Sequence, residues 1–260
     1  MRIIVCIKQI FDPATIRVST RGEVATQDGV RIINPADLCA LEEALKLKDT
    51  QGAEVIALTL GGPEAEDVLR EALAMGADRA VLLSDPLLAG SDAHAVSYAL
   101  AQAVKTVAGV DLVLGGVRSL DDGGGQVGPN MAEALGWSQT TAALELAVTD
   151  GRISALQRFE DRDRRVTVPL PTVVTVAAQA NVPRLPHAAS IMNAYQQRSV
   201  ETWTAEDIAA EPERLGADGS LTVTRRSFPP EVQAKGDILT GTPREAATAL
   251  AARLRKRGFI

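Results

Sequence analysis

The chain has few of the residues that build metal, disulfide or base-stacking sites. Its 260 residues include two cysteines and two histidines, and only 3% are aromatic. Cys6 and Cys39 are far apart and form no C-x-x-C pair, which argues against a disulfide framework and a structural zinc site. The shortage of aromatic side chains argues against a platform on which nucleic-acid bases stack. We therefore expect no metal site.

Charge and hydropathy argue against a protein that binds nucleic acid, spans a membrane or is secreted. The formal net charge of −6 gives no general attraction to nucleic acid or to anionic membranes. No apolar run approaches the roughly 20 residues that cross a bilayer. The first residues, MRIIVCIKQ, lack the features of a secretory signal. We expect a cytoplasmic protein that binds no nucleic acid and does not insert into a membrane.

The first half of the chain alternates short apolar runs with amphipathic ones. The runs RIIVCI, EVIALTL, RAVLL and DLVLGG are predicted strands. Among the helices between them is one that begins at Pro35, with Asn34 as its predicted cap, and ends at Gly52. Because parallel strands need helix-length crossovers, this pattern predicts an α/β, Rossmann-like fold with a parallel sheet. Ligands of such sheets bind beyond the carboxyl ends of the strands.

The second half of the chain has a different pattern. Two strand-like runs meet at Asp150-Gly151, so we predict a β-hairpin addition within residues 144–178. We assign residues 1–224 to one α/β domain. Residues 225–260 have little periodicity before a final amphipathic helix, which predicts an extended C-terminal arm plus a helix. This part of the chain packs either on another subunit or back on its own domain, since a helix of that length needs a partner surface.

The run GGGQVG, residues 123–128, satisfies the formal pattern G-x-G-x-x-G. A dinucleotide fingerprint needs its first glycine directly at the strand-to-helix turn. Here the predicted strand ends near Gly115, and Val117 to Asp122 intervene. A P-loop is excluded because the chain has no G-x-x-x-x-G-K-S/T. Two interpretations remain: a glycine-rich loop that binds an anion at the start of a helix, and an ordinary loop with tight turns.

Six segments, taken together and in order, carry a family resemblance: MRIIVCIKQIFDP, DGVRIINPADLCALEEALKLKD, REALAMGADRAVLL, DLVLGGVRSLDDGGGQVGPNMAEALGW, PLPTVVTV and NVPRLPHAASIMNA. The chain resembles the β subunit of electron transfer flavoprotein over nearly its whole length. The resemblance implies an electron-carrier subunit, not an enzyme in its own right, that pairs with a homologous α subunit. It also implies an FAD held largely by the α subunit. The pair would carry electrons from flavin dehydrogenases to a quinone oxidoreductase or another acceptor.

The resemblance also implies which residues form an adenine-nucleotide pocket. They are Cys6, Asn34, Pro35, Ala36, Asp37, Leu60, Gly61, Ser119, Leu120, Asp121, Asp122, Gly123, Gly124, Gly125, Gln126, Val127, Gly128, Pro129 and Asn130. All of them lie at strand ends or in loops after predicted strands. In most family members this pocket holds a structural AMP, and in electron-bifurcating members a second FAD takes its place. We predict no catalytic residues.

The chain departs from the family pattern at two places. Bifurcating members have threonines where this chain has Ala93 and Val96, so we expect AMP and keep a second FAD as the alternative. The other departure is in the partner-docking segment, residues 181–198. Many members have an exposed leucine there that contacts the dehydrogenase, and this chain has Ala188. We assign the docking contact to Ala188, Leu185, Ile191 and Met192, with Leu185 or Ile191 as substitutes for the leucine.

Two other functional classes remain as alternatives. One is a stand-alone adenine-nucleotide-binding regulatory or ligase module of similar topology. Its weakness is that the pyrophosphatase signature S-G-G-x-D-S is absent from the sequence. The other is a nicotinamide oxidoreductase, for which the sequence shows no recognisable substrate pocket.

Overall fold

A mostly parallel sheet with helices on both faces forms the body of the molecule. The computed structural model describes residues 1–19, 24–25, 29–226, 228 and 236–260. Within those residues the strands are β1 Arg2–Cys6, β2 Gln9–Phe11, β3 Arg17–Val18, β4 Val24–Ala25, β5 Arg31–Ile33, β6 Glu54–Leu60, β7 Arg79–Leu83, β8 Leu112–Gly116, β9 Ser138–Thr149, β10 Arg152–Arg158, β11 Asp163–Pro169, β12 Thr172–Val176 and β13 Glu201–Trp203. The helices are α1 Pro35–Gln51, α2 Glu66–Met75, α3 Ala93–Thr106, α4 Val127–Leu135, α5 Ala188–Gln196 and α6 Pro243–Lys256.

The strand order in the main sheet is β11-β10-β9-β12-β8-β1-β6-β7-β13. From β9 to β13 all neighbours in this order are parallel, whereas β9, β10 and β11 pair antiparallel. The α/β fold with a parallel sheet, predicted from the sequence, is confirmed. Two small ribbons, β2 with β5 and β3 with β4, occupy the connection between β1 and α1.

The hydrophobic core lies on both faces of the sheet. Along β1, Ile3 belongs to the cluster that includes Leu41 of α1 and Leu69 of α2. Ile4 points to the opposite face, into a cluster that includes Tyr98 of α3 and Met131 of α4. Successive residues of a strand face opposite sides, so a strand buried on both sides needs a continuous apolar sequence. This explains why RIIVCI and DLVLGG lack polar alternation.

Helix α1 follows the predicted bounds closely. Pro35 is its first residue, and Gly52 ends it with a left-handed φ of 67° while its N–H donates to the carbonyl oxygen of Lys48 at 2.9 Å. Asn34 stands at the N-cap position as predicted, but its side chain makes no cap hydrogen bond. The predicted cap position is therefore confirmed, while the side-chain amide contacts another loop instead of the first turn of the helix.

The hairpin predicted at Asp150-Gly151 is confirmed. Both residues have positive φ, 50° and 67°, as a tight turn between β9 and β10 requires. After β11 the chain returns to the middle of the sheet, where β12 lies between β9 and β8 and parallel to both. All five residues of Thr172–Val176 are buried, which is typical of a central parallel strand.

The C-terminal residues contribute little to this core. Helix α6 confirms the predicted final helix, and it begins with a capping box in which Thr242 and Glu245 each bind the other's backbone N–H. None of its 14 residues is buried, and Leu250 is 50% exposed. Residues 227 and 229–235 of the predicted arm lie outside the described residues. Among the helices that the structure describes, none has the length and apolar character needed to span a membrane.

Candidate functional site

A cleft of about 320 Å³ lies beyond the carboxyl ends of β1 and β8. The chain places β6 and β7 on one side of β1 and then returns to place β8 on the other side. This is the point at which the order of strands reverses, and open α/β sheets bind their ligands at such points. The position of the cleft therefore makes it the first candidate for a ligand site.

The inner part of the cleft, here called the cleft floor, is apolar. Its side chains come from β6, β8 and β12 and from the two helices that cover this face of the sheet: Leu58, Leu100, Val113, Met131 and Val173. All five are buried in the sense that at most 4% of each is exposed. Such a floor suits a flat, weakly polar group more than a charged one.

The outer part of the cleft, here called the cleft mouth, is polar. It is formed by Lys8, Asn34, Arg118, Ser119, Asp122 and Gln126. Helix α4 begins beside it at Val127, so the free N–H groups of its first turn and the positive end of its dipole face the mouth. A helix start of this kind favours a bound anion such as a phosphate.

Two glycines of the GGGQVG run allow the loop and the start of α4 to pack closely against neighbouring parts of the chain. Gly125 has a φ of +63°, and a Cβ on it would lie 3.0 Å from the carbonyl oxygen of Val117. A Cβ on Gly128 would overlap the methyl group of Thr175 on β12. Gly125 therefore lets the loop fold back on itself, and Gly128 lets the start of α4 contact the sheet directly.

Two aspartates, Asp121 and Asp122, lie in the turn just before the GGGQVG run, and other groups of the protein bind both of them. Lys8 Nζ lies 2.7 Å from Asp121 Oδ2 and 3.4 Å from Asp122 Oδ2. Asp122 Oδ1 also accepts hydrogen bonds from the Ser119 hydroxyl at 2.8 Å and the Gly124 N–H at 2.9 Å. Partial burial acts to raise the pKa of each carboxyl, but these donors and Lys8 bring both pKa values below the usual range. Both carboxylates stay ionised and internally paired.

Asn34 holds the loop that carries these groups. Its side chain is 1% exposed. The Nδ2 atom donates to the carbonyl oxygen of Arg118 at 3.1 Å, and Oδ1 accepts from the Leu120 N–H at 3.2 Å. The amide thus fixes the backbone on both sides of Ser119, which explains why it is not free to cap α1.

Asp37 lies inside the cleft and joins the two strands that flank it. Its carboxylate accepts the N–H of Lys8, after β1, and the N–H of Gly116, at the end of β8, each at 2.8 Å. Burial raises the pKa of Asp37 to about 6, against the lowering effect of these donors and of Lys8. Burial, with a smaller contribution from Asp37, raises the pKa of the Cys6 thiol to about 12. Cys6 is therefore a neutral part of the wall and not a thiolate nucleophile.

The side of the cleft next to α3 combines apolar and polar residues. Ala93 and Val96 line it together with Ser91 and Asp92. Asp92 is engaged elsewhere: Oδ1 accepts the N–H groups of the first turn of α3, and Oδ2 accepts the N–H groups of Leu221 and Thr222, each at 2.9 Å. Burial opposes these bonds, yet together they lower the pKa of Asp92 to about 2. Asp92 thus fastens residues 221 and 222, just before the C-terminal arm, to the edge of the cleft.

The structure brings together residues from every segment that the sequence assigned to the pocket. Those that line the cleft are Cys6, Asn34, Asp37, Leu60, Ser119, Asp122, Gly125, Gln126, Val127 and Gly128. The others of that set do not line it and flank these residues in the chain: Pro35, Ala36, Gly61, Leu120, Asp121, Gly123, Gly124, Pro129 and Asn130. The sequence did not assign five polar lining residues to the pocket: Lys8, Ser91, Asp92, Arg118 and Thr175.

The predicted docking segment forms a separate surface. Leu185 is 87% exposed, Met192 59% and Ile191 41%. Ala188 is the first residue of α5 and is exposed as well. Arg184 ties the segment to α1, because its guanidinium contacts Glu42 at 2.9 Å and Asp49 at 2.8 Å. The apolar side chains therefore stand on a supported surface.

Fold and cleft together define a doubly wound α/β protein with a cleft at the point where the strand order reverses. The sequence profile of the electron transfer flavoprotein domain matches residues 21–208. The chain therefore belongs to the electron transfer flavoprotein family, in which it corresponds to the β subunit, and its role is electron transfer.

Curated relatives are similar in sequence to this chain over all or nearly all of their length. The electron transfer flavoprotein subunit beta of Clostridium acetobutylicum is 38% identical over 261 residues, covering 100% of both chains. The caffeyl-CoA reductase-Etf complex subunit CarD of Acetobacterium woodii is 38% identical over 263 residues, again 100% of both. Protein FixA of Azorhizobium caulinodans is 41% identical over 267 residues, covering 99% of this chain and 95% of its own.

Proposed function

We propose that this chain binds AMP in the cleft and works as the electron-carrier β subunit of a heterodimer whose α subunit holds the redox-active FAD. The observation that carries the proposal is the combination of an apolar floor with a polar mouth at the strand-reversal point. An adenine base fits the floor, since a heteroaromatic ring is flat and weakly polar. A phosphate fits the mouth, where the start of α4 offers N–H groups.

The wall beside α3 favours AMP over a second FAD. Ala93 and Val96 line the cleft with methyl groups, and the neighbouring Asp92 carboxylate is fully engaged by backbone N–H groups and Thr222. A dinucleotide has a second phosphate that needs further donors. Each missing hydrogen bond costs about 1 kcal/mol. This side of the cleft offers a longer ligand little hydrogen bonding.

The C-terminal arm is the part of the chain that we assign to the α subunit. Exposed apolar side chains occur along it, among them Phe228 at 66% and Ile238 at 90% exposure. Helix α6 follows with no buried residue. Isolated helices of this length are marginal in water, so a partner surface has to stabilise this one. The Clostridium acetobutylicum relative is named as a β subunit and the Acetobacterium woodii relative as part of an Etf complex, which agrees with a heterodimer.

The docking segment is the part that we assign to the electron donor, a flavin dehydrogenase. Leu185 and Met192 project from a segment that Arg184 holds in place. Exposed apolar side chains on a supported surface are typical of interaction sites. The chain then passes electrons, through the FAD of the pair, to a quinone oxidoreductase or another acceptor.

The proposal is tested by the cofactor content of the complex. The chain is co-purified with its α subunit, the complex is denatured, and the released FAD and AMP are measured per heterodimer by chromatography. We expect one FAD and one AMP. Two FAD and no AMP would replace AMP in the cleft with a second FAD and make electron bifurcation the mechanism. A complex with FAD but no nucleotide attributable to this chain would contradict the proposed use of the cleft.

A further inference from the structure

Arg118 differs from every other charged side chain that lines the cleft. The others are Lys8, Asp37, Asp92 and Asp122, and each is bound by protein groups. The guanidinium of Arg118 has no hydrogen bond or ion pair to any residue in the described parts of the chain, although it is an exposed group at the cleft mouth. An anion can therefore bind Arg118 without breaking a contact within the protein.

The backbone of Arg118 is held firmly, so its side chain starts from a fixed point. Asn34 binds the carbonyl oxygen of Arg118 and the N–H of Leu120. A Cβ on Gly125 would lie 3.7 Å from Cβ of Arg118. Gly125 immediately precedes Gln126, the N-cap residue of α4. Arg118 thus begins beside the start of α4, and both face the cleft mouth.

The charges around the mouth need such an arginine. Lys8 is shared between Asp121 and Asp122, so this cluster of three carries a net charge of −1 and would repel a phosphate. Arg118 supplies the balancing positive charge. A guanidinium also presents parallel N–H groups that match two phosphate oxygens, which an ammonium group does not.

We propose that Arg118 recognises the phosphate of the bound nucleotide and sets the preference of the cleft for a nucleotide over the nucleoside. This inference rests on the proposed function, because it takes an adenine nucleotide as the ligand. It adds a specificity-determining residue that the sequence pattern of the loop did not indicate. The N–H groups of α4 and the guanidinium then bind the phosphate together, while the apolar floor holds the base.

The test compares AMP with adenosine. Full-length chain, in the complex with which it purifies, is freed of bound nucleotide and titrated with each ligand. For Arg118→Gln we expect the affinity for AMP to fall roughly tenfold to a hundredfold, the range for a lost hydrogen bond between charged groups. The affinity for adenosine should stay within about twofold, since adenosine has no phosphate. Arg118→Lys, which keeps the charge but not the fork, should fall between wild type and Arg118→Gln.

Arg164→Gln is the matched control. Arg164 is exposed on β11 at the far edge of the sheet, and its guanidinium has no hydrogen bond or ion pair within the described residues. Its loss changes the net charge equally. We expect wild-type affinities for both ligands. Equal losses of AMP affinity in Arg118→Gln and Arg164→Gln, or equal losses for AMP and adenosine in Arg118→Gln, would overturn the inference while leaving the nucleotide cleft intact. Wild-type protein that binds neither ligand would instead contradict the proposed function.

Discussion

The Oδ1 atom of Asp37 accepts a 2.8 Å hydrogen bond from the backbone N–H of Gly116. Asp37 is on α1 and Gly116 ends β8, so this bond ties the helix to the strand at the edge of the cleft. The same pair leaves no room for a side chain at residue 116. A Cβ there would overlap Asp37 Oδ1 and lie 2.7 Å from Cβ of Ala36.

Gly116→Ala should therefore destabilise the protein and weaken nucleotide binding. The added methyl group meets the backbone of α1, which cannot move without disturbing the core, and such overpacking typically costs about 1–3 kcal/mol. We expect a loss of about 2 kcal/mol in the free energy of unfolding, measured by urea denaturation. Gly115→Ala is the control, because a Cβ at Gly115 would make only ordinary contacts at 3.8 Å with Cys6. Equal stability losses for the two variants would contradict this account of Gly116.

Asp37 should make stability depend on pH in a particular direction. Its pKa is raised from 3.8 to about 6 by burial, so the folded state binds the proton more tightly than the unfolded state. The stabilisation by protonated Asp37 is then fully present below about pH 4 and is lost as the pH rises through about 6. From about pH 4 to about pH 7 the loss is about 2 kcal/mol.

Asp37→Asn removes this titration and leaves the other groups in place. The free energy of unfolding of wild type minus that of Asp37→Asn should therefore decrease as the pH rises over the same interval. Urea denaturation at several pH values measures the difference directly. A difference that is constant with pH would show that Asp37 titrates alike in the folded and unfolded states, against the burial argument.

Leu185→Ala should slow electron transfer from the cognate dehydrogenase without affecting stability. Leu185 is 87% exposed, so its truncation costs the fold little. If it fills a pocket on the partner, its loss costs 1 kcal/mol or more of binding, and we expect kcat/KM to fall about tenfold. Leu87→Ala is the control, because this leucine is 50% exposed in the short 3-10 helix Pro86–Leu88, outside the docking segment. Unchanged kcat/KM for Leu185→Ala would remove this residue from the docking site.

The sequence predicted correctly those helices and turns whose ends are set by the conformational preferences of nearby residues. The helix from Pro35 to Gly52 and the turn at Asp150-Gly151 were found because proline and glycine have fixed conformational preferences. The place of β12 between β9 and β8 was not found, because pairing between distant strands leaves no local pattern. Its buried sequence shows only that it is a central strand, not which strands it joins.

In the cleft, too, local sequence patterns predicted some residues, whereas residues brought together from distant parts of the chain were missed. The glycine-rich loop and Asp37 were assigned to the pocket from sequence patterns, and both contribute residues to the cleft lining. Lys8 was missed because its partner Asp121 is 113 residues away. Arg118 was missed because an arginine in a loop has no characteristic spacing. The polar residues that complete the cleft mouth are therefore visible only once the chain is folded.

The binding site of AMP is tested most directly by mapping which segments of the chain exchange hydrogen more slowly when AMP is bound. Full-length chain, in its complex, is exposed to deuterated water with and without saturating AMP, and the uptake of each segment is measured. At a ligand concentration of about 100 Kd, binding adds about 2.7 kcal/mol of protection, or roughly a hundredfold slower exchange. We predict this slowing for residues 117–128 and no change in the exposed residues of 181–198. Binding of AMP without slower exchange in 117–128, or with slowing confined to another part of the chain, would contradict the assignment of the nucleotide to this cleft.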